Sequence, residues 1–475
     1  MGKVRTWGIG CGGGTALVAG ACTTAWFATR PPTLVDARPR SADGLLVVDV
    51  AVVDVVTGRV LDHQDVRIEG ETIVSVDAHT PGGSAEEVVD GSGAYLVPGL
   101  IDAHCHVLSG SAAPGRPNLP DPDLNFARLL YSGVTTVFDP GSDPDAIFSF
   151  RSELAAESRL GPSIFAAGPI FTAPGGHPVP MLRQFVPGPL QDLFIGRLTR
   201  QLAAPEDAAP AVDALVPLEP DFIKVAIDHL PSDAPRIAPD VAAALVDAAG
   251  ARGLRTVAHI GTLDDARTAV DVGASAWIHG VYKERIPDAA IGELADAHIP
   301  MVPTMVVFKS YAELGRGGYT PTPLEQAVAP PELFESWSDP TLADAVPDSI
   351  ADYLAMLRDQ RATALDNVGR LHTAGVTLLA GSDSQAGMLP GPSLHRELAL
   401  LHEAGLPPIE VLRSATVHSA RFLSGQDDPP FGVVAAGKRA DLLLLDADPL
   451  THVDALGQIR TVILRGRVLD RTPWP

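Results

Sequence analysis

Apolar and polar positions follow two rhythms along the 475-residue chain. Residues 45–55 are β-branched and apolar, and residues 65–76 alternate. In the alternating stretch Arg67, Glu69 and Glu71 mark a solvent face, and Val66, Ile68 and Ile73 a core face. With a further short strand at 87–90, this predicts an antiparallel sheet. Beyond residue 106 the rhythm changes. Short apolar runs end near residues 139, 168, 226, 259, 279, 305 and 381, and helical patterns cover 124–131, 241–252, 263–272, 289–297 and 349–374. Together with the run at 96–102 these make eight strands. Such alternation predicts an α/β fold whose parallel strands close as a (β/α)8 TIM barrel.

The last 45 or so residues return to strand patterns, at 437–446 and in a hairpin over 459–469 turned at Arg465-Gly466. No barrel position is left for them. They are predicted to pair with residues 45–90, so that both chain ends build one small β-sandwich. The expected organisation is a leader and linker over 1–43, a composite sandwich from 44–98 and 427–473, and a barrel over 99–426. The connections 171–220 and 308–348 are rich in Pro, Gly and acidic residues, and read as substrate-covering loops.

Chemistry concentrates where barrel strands end, the face on which such folds place their active sites. The first strand ends in His104-Cys105-His106. Residues i and i+2 of a strand share a side, so both imidazoles face one way and Cys105 the other, as packing. The fourth strand carries Lys224, the fifth ends in His259, the sixth in His279, and the eighth in Gly381-Ser382-Asp383. Singly, each of these is an ordinary polar residue, a snorkelling lysine or a helix cap. Jointly they predict a site for divalent metal, because imidazole and carboxylate suit zinc and similar ions. An ammonium among such ligands is unfavourable, but a neutral Lys224 that has taken up CO2 becomes an anionic carbamate able to bridge two metals. Two metals so placed can activate water and polarise a carbonyl.

Composition narrows the partners. Hydrophobic residues make up 46% and charged residues 20%, a globular balance, and the formal net charge is −23. Such acidity disfavours nucleic acid as a partner. Cys11, Cys22 and Cys105 form neither a disulfide framework nor a Cys-x-x-Cys site. Lys3 and Arg5 precede an uncharged run over 6–29, the form of an export signal or an N-terminal membrane anchor, with Ala19-Gly20-Ala21 as a cleavage site. A basic, proline-containing linker then spans 31–41.

The stretches LVPGLIDAHCH, DFIKVAID, RTVAHI, SAWIHG, LLAGSDS, SLHRELALLHEAGL and GKRADLLLLDADPL give the chain a resemblance to the amidohydrolase superfamily, in its imidazolonepropionase-like and prolidase-like branches. The resemblance implies that His104, His106 and Asp383 hold one metal, and that His259 and His279 hold a second, with a carboxylated Lys224 between them. Zinc is the expected ion, with manganese and cobalt as alternatives. Similar proteins carry a Gly-Gly-His after the third strand, which makes His177 a candidate for binding a substrate carboxylate or the developing oxyanion; a solvated loop histidine is the other reading. The SLHRELALL segment reads as structural, with Leu394, Leu398 and Leu401 facing the core. The implied activity is hydrolysis of an amide-type C–N bond in a small molecule: a dipeptide, an N-acyl amino acid or a cyclic amide. Asp383 would act as base and then acid, and His279 or His177 would stabilise the oxyanion. A lactonase or phosphotriesterase on the same site, and a non-catalytic scaffold, are the alternatives. A homo-oligomer is compatible with this reading.

Overall fold

A computed structural model describes residues 31–80, 87–114, 116, 119–344 and 348–475. The export or anchor segment read at the N-terminus lies outside these residues. Among the described residues no helix is long and apolar enough to cross a membrane.

Both chain ends build one sheet. Its strands run in the order Val35–Ala37, Arg467–Arg471, Ile459–Leu464, Leu442–Leu445, Tyr95–Pro98, Leu45–Asp54, Arg59–Glu69 and Thr72–Ala78, with Glu87–Asp90 also on Leu45–Asp54. Alternation explains the unbroken run Leu442–Leu445. Leu442 and Leu444 join a core with Val47, Val66 and Ile68, while Leu443 and Leu445 face the helices and strands of the larger unit. Three expectations change. Hydrogen bonding joins the strands into a single sheet rather than two. Glu87–Asp90 pairs parallel, not antiparallel, with Leu45–Asp54, and Tyr95–Pro98, read as the start of the first barrel strand, also pairs parallel with that ten-residue strand. Finally, residues 31–41 are not a plain linker, because Val35–Ala37 pairs with Arg467–Arg471 and Leu34 is fully buried. Two apolar residues show no periodicity, and their partner strand lies at the other end of the chain.

Gly99 alone separates Tyr95–Pro98 from Leu100–Asp102, the first strand of the barrel-like series. A Cβ there would overlap the Thr135 side chain, so only glycine lets these backbones approach. Leu100–Asp102, Val134–Asp139 and Ser163–Ala166 form a parallel sheet of three. A second parallel sheet runs Thr199–Gln201, Ile170–Thr172, Phe222–Ala226, Arg255–His259, Ala276–Ile278, Met301–Val302. Asp221 N donates to Ala166 O between the two sheets, and parallel bridges join Met301 to Leu378 and Cys105 to Ser384. The eighth strand of the sequence reading is thus present as bridges rather than as a ladder.

The connections read as loops are structured. Ile170–Thr172 and Thr199–Gln201 extend the sheet, and helices span Val179–Phe185, Gln191–Leu198 and Ala208–Asp213. The strand expected over 299–305 stops at Val302, and a helix covers Met305–Glu313. Met305-Val306-Val307-Phe308 is apolar and β-branched, and a short buried run of that kind does not distinguish strand from helix.

Candidate metal centre

The first strand ends just before His104 and His106. Cys105 between them turns away, wholly buried, with Sγ 3.1 Å from Ser384 Oγ. Asp102 fastens this strand end to the last one. Its carboxylate accepts from His104 N at 3.2 Å, Ser382 N at 2.9 Å and Ser382 Oγ at 2.6 Å. Burial pushes Asp102 up to about 7.

Asp383 N donates to His104 O at 2.6 Å, which brings its carboxylate back over the histidines. Oδ1 lies 3.2 Å from His104 Nε2 and 3.0 Å from His106 Nε2. Burial alone would raise the Asp383 carboxyl, but the two imidazoles outweigh it and hold it well below the usual carboxylate range. For His106, burial is likewise overcome, and Asp383 raises it. His106 Nδ1 lies 3.0 Å from Gly141 O. A carbonyl only accepts, so Nδ1 carries the proton and Nε2 is left for the site.

Five imidazoles stand in a row. Ring centroids are 5.2 Å apart for His106 and His104, 5.1 Å for His104 and His279, 4.4 Å for His279 and His259, and 4.6 Å for His259 and His177. Burial pushes His104 and His177 each down to about 4, and His259 and His279 well below the ordinary histidine value. These four are therefore neutral at pH 7, the protonation state that coordinates metal. Lys224 sits in the middle of Phe222–Ala226, 2% exposed. Burial pushes it down to about 7 against the opposing charge of Asp383. Its positive charge would lower all five histidines.

The five histidines thus lie side by side, with Asp383 against His104 and His106. His104, His279 and Asp383 offer ligand atoms within 4.8 Å of one another. His104 Nδ1, His177 Nδ1 and His259 Nε2 are buried without a hydrogen-bond partner. Unpartnered buried polar atoms are costly, and an imidazole–carboxylate set of this kind fits divalent metal. His279, Thr304 and Asp383 adopt left-handed φ of 69°, 51° and 49°. Non-glycine residues in that region cost roughly 1–3 kcal/mol each and cluster at functional sites.

Several residues of the site are not apparent from sequence. Asp139, at the end of Val134–Asp139, accepts from Val107 N, Gly141 N and Ser142 Oγ and lies 4.0 Å from His106 Nδ1. Asp228 accepts from Lys283 Nζ at 2.5 Å and Tyr282 OH at 3.2 Å, and lies 3.4 Å from His259 Nε2. A Cβ on Gly261 would fall 2.6 Å from Asp228 Oδ2 and 2.8 Å from Lys283 Cε, so glycine makes room for this pair. Both aspartates lie at or just past a strand end, the signal that exposed Asp383. Without a histidine beside them they read as turn residues. Thr304 Oγ1 lies 2.5 Å from His279 Nδ1.

Residues 95–469 match the Amidohydrolase family. The chain belongs to that family. An uncharacterised protein of Mycobacterium tuberculosis is 27% identical over 390 residues, 82% of this amidohydrolase and 88% of the relative. Adenine deaminase 2 of Rhizobium meliloti is 41% identical over 105 residues, 22% of this chain and 16% of that enzyme. Among solved structures, a prolidase complexed with N-methylphosphonate-L-proline superposes with a TM-score of 0.72 at 24% identity, covering 90% of this chain and all of that one.

Proposed function

We propose that this amidohydrolase is a metal-dependent hydrolase of an amide-type C–N bond in a small molecule. The observation that carries the reading is the row of five imidazoles, three of them buried, with the Asp383 carboxylate against two of them and the buried Lys224 on a neighbouring strand. His104, His106 and Asp383 would hold one divalent ion. His259 and His279 would hold a second, with Lys224 as a carbamate between them. Zinc is the expected metal, with manganese and cobalt as alternatives. When bound, the two ions supply a water of lowered pKa and polarise the scissile carbonyl.

The chain's own residues do the rest. Asp383 accepts the proton of the attacking water on its carboxylate and returns it to the departing nitrogen. His177, next to His259 in the row, would face the carbonyl oxygen as negative charge develops there. Phe308, 5.5 Å from the His279 ring, limits water on that side. A dipeptide, N-acyl amino acid or cyclic amide fits this chemistry, and the ligand in the prolidase structure, N-methylphosphonate-L-proline, supports the first. The reading takes the two parallel sheets as one closed (β/α)8 barrel, supported by the bridges at Leu378 and Ser384. It takes the first thirty residues as an export or anchor segment.

The test is a substrate panel on protein reconstituted with zinc, manganese or cobalt in the presence of bicarbonate. The panel holds X-Pro and other dipeptides, N-acyl amino acids, cyclic amides, lactones and aryl phosphotriesters. Turnover is expected among the amides. Turnover confined to lactones or phosphotriesters would replace the proposal, and none with any metal would favour a scaffold.

A further inference from the structure

We propose that Glu397 caps the helix Met305–Glu313 in place of that helix's own N-cap residue, Thr304, and so frees the Thr304 hydroxyl to position His279. The inference deepens the metal-centre reading and rests on it for its functional consequence.

Threonine at an N-cap normally adopts an extended conformation and accepts from an N–H of the first helical turn. Thr304 does neither. Its φ and ψ are 51° and 39°, and its side chain makes no cap hydrogen bond. Its Oγ1 points instead to His279 Nδ1, 2.5 Å away. The first-turn N–H groups still need an acceptor, since Thr304 is wholly buried and water cannot supply one. Glu397 supplies it from the helix Pro392–Glu403, ninety-one residues further on: Val306 N donates to Glu397 Oε2 at 2.7 Å.

Glu397 is an expensive cap. It is 0% exposed, and its Oε1 has no hydrogen-bond partner. Burial pushes it up to about 8. A threonine already in the N-cap position would cap the helix at less cost if its hydroxyl were free. The exchange makes sense because Thr304 is needed elsewhere. With Nδ1–H of His279 donating to Thr304 Oγ1, Nε2 keeps its lone pair for the site. The same helix holds Phe308 against the His279 ring at 5.5 Å and against Tyr282 at 4.0 Å. Glu397 is therefore a positioning residue that acts through Thr304, in a segment whose sequence suggests packing alone.

The test uses Glu397→Met, which keeps volume and removes the acceptor, Glu397→Gln, which keeps an acceptor oxygen, Thr304→Val, and the double variant Glu397→Met/Thr304→Val. In a crystal structure of metal-free Glu397→Met, the Thr304 hydroxyl is expected on the N–H groups of its own helix and out of hydrogen-bond reach of His279 Nδ1. In cobalt titrations followed by visible absorption, Glu397→Met and Thr304→Val should each weaken the second cobalt about tenfold and alter its spectrum. The first cobalt should be unchanged, Glu397→Gln should behave as the parent, and the double variant should be no worse than the weaker single. Thr304→Val keeps the Glu397 cap and should fold normally, so it carries the test if Glu397→Met does not fold; unchanged cobalt binding in it overturns the proposal. So does Thr304 remaining on His279 in Glu397→Met, or effects that multiply in the double variant. A parent protein that takes up no second cobalt would overturn the binuclear reading, while the crystal structure would still decide the cap.

Discussion

Asp383 shows how much one residue carries here. Its amide fixes the last strand to His104, and its carboxylate sits between two imidazoles that hold it ionised. Asp383→Asn keeps the shape and an oxygen ligand but removes the proton acceptor. Turnover should fall at least about a hundredfold while much of the metal remains, as measured by kinetics beside metal analysis; near-normal turnover would remove Asp383 from the mechanism. Lys224 gives a pH dependence. Burial lowers its amine to about 7, so the neutral form predominates above that pH and the ammonium below it. Only the neutral amine takes up CO2. Uptake of the second metal by metal-free protein in bicarbonate should therefore fall about tenfold per pH unit below 7. A flat profile would argue against the carbamate. The proposed histidine and aspartate ligands stand at or beside a strand end, where strand parity and fold geometry fix direction; Lys224, in the middle of its strand, stood out as a charged residue in an apolar run. Asp139, Asp228 and Thr304 did not stand out, because their partners lie on other strands and nothing local distinguishes them from turn or cap residues.

At the scale of elements, strand identity was legible and strand pairing much less so. Apolar runs located the strands that carry or lead into the histidines and Lys224, and the run before Asp383 forms bridges only. They did not show that Glu87–Asp90 runs parallel to Leu45–Asp54, that residues 171–220 fold into helices and edge strands, or that the seventh strand gives way to a helix at Met305. Those outcomes depend on which neighbour is free to pair, and a one-dimensional pattern does not carry that information. Gly381 marks where the last strand meets the first. A Cβ there would overlap Val302 Cγ1 and lie 2.9 Å from both the backbone N and the Cβ of His104. Gly381→Ala should destabilise the fold by about 1–3 kcal/mol, seen as a lower denaturant midpoint, and should reduce metal content as His104 is displaced. Unchanged stability and metal content would show that the strand ends are looser than this packing requires.

At the scale of the whole molecule, residues 35–37 are tied to residues 467–471 near the other end of the chain. Val35–Ala37 pairs with Arg467–Arg471, and Arg38 bonds Asp470 at 2.7 Å. Removing residues 31–38 strips a strand and the buried Leu34 and Val35, a loss of about 2–4 kcal/mol of burial. The truncated protein should melt several degrees lower while binding metal normally when folded. An unchanged melting temperature would show that this edge contributes nothing. Sequence placed the C-terminal strands against residues 45–90; they share that sheet, but they pair with Tyr95–Pro98 and Val35–Ala37 instead. The proposed function requires the side chains of the site to hold two metals. Metal analysis of protein purified and reconstituted with zinc and bicarbonate tests this. Two divalent ions per chain are predicted; less than one per chain, with no gain on adding zinc and bicarbonate, would contradict it.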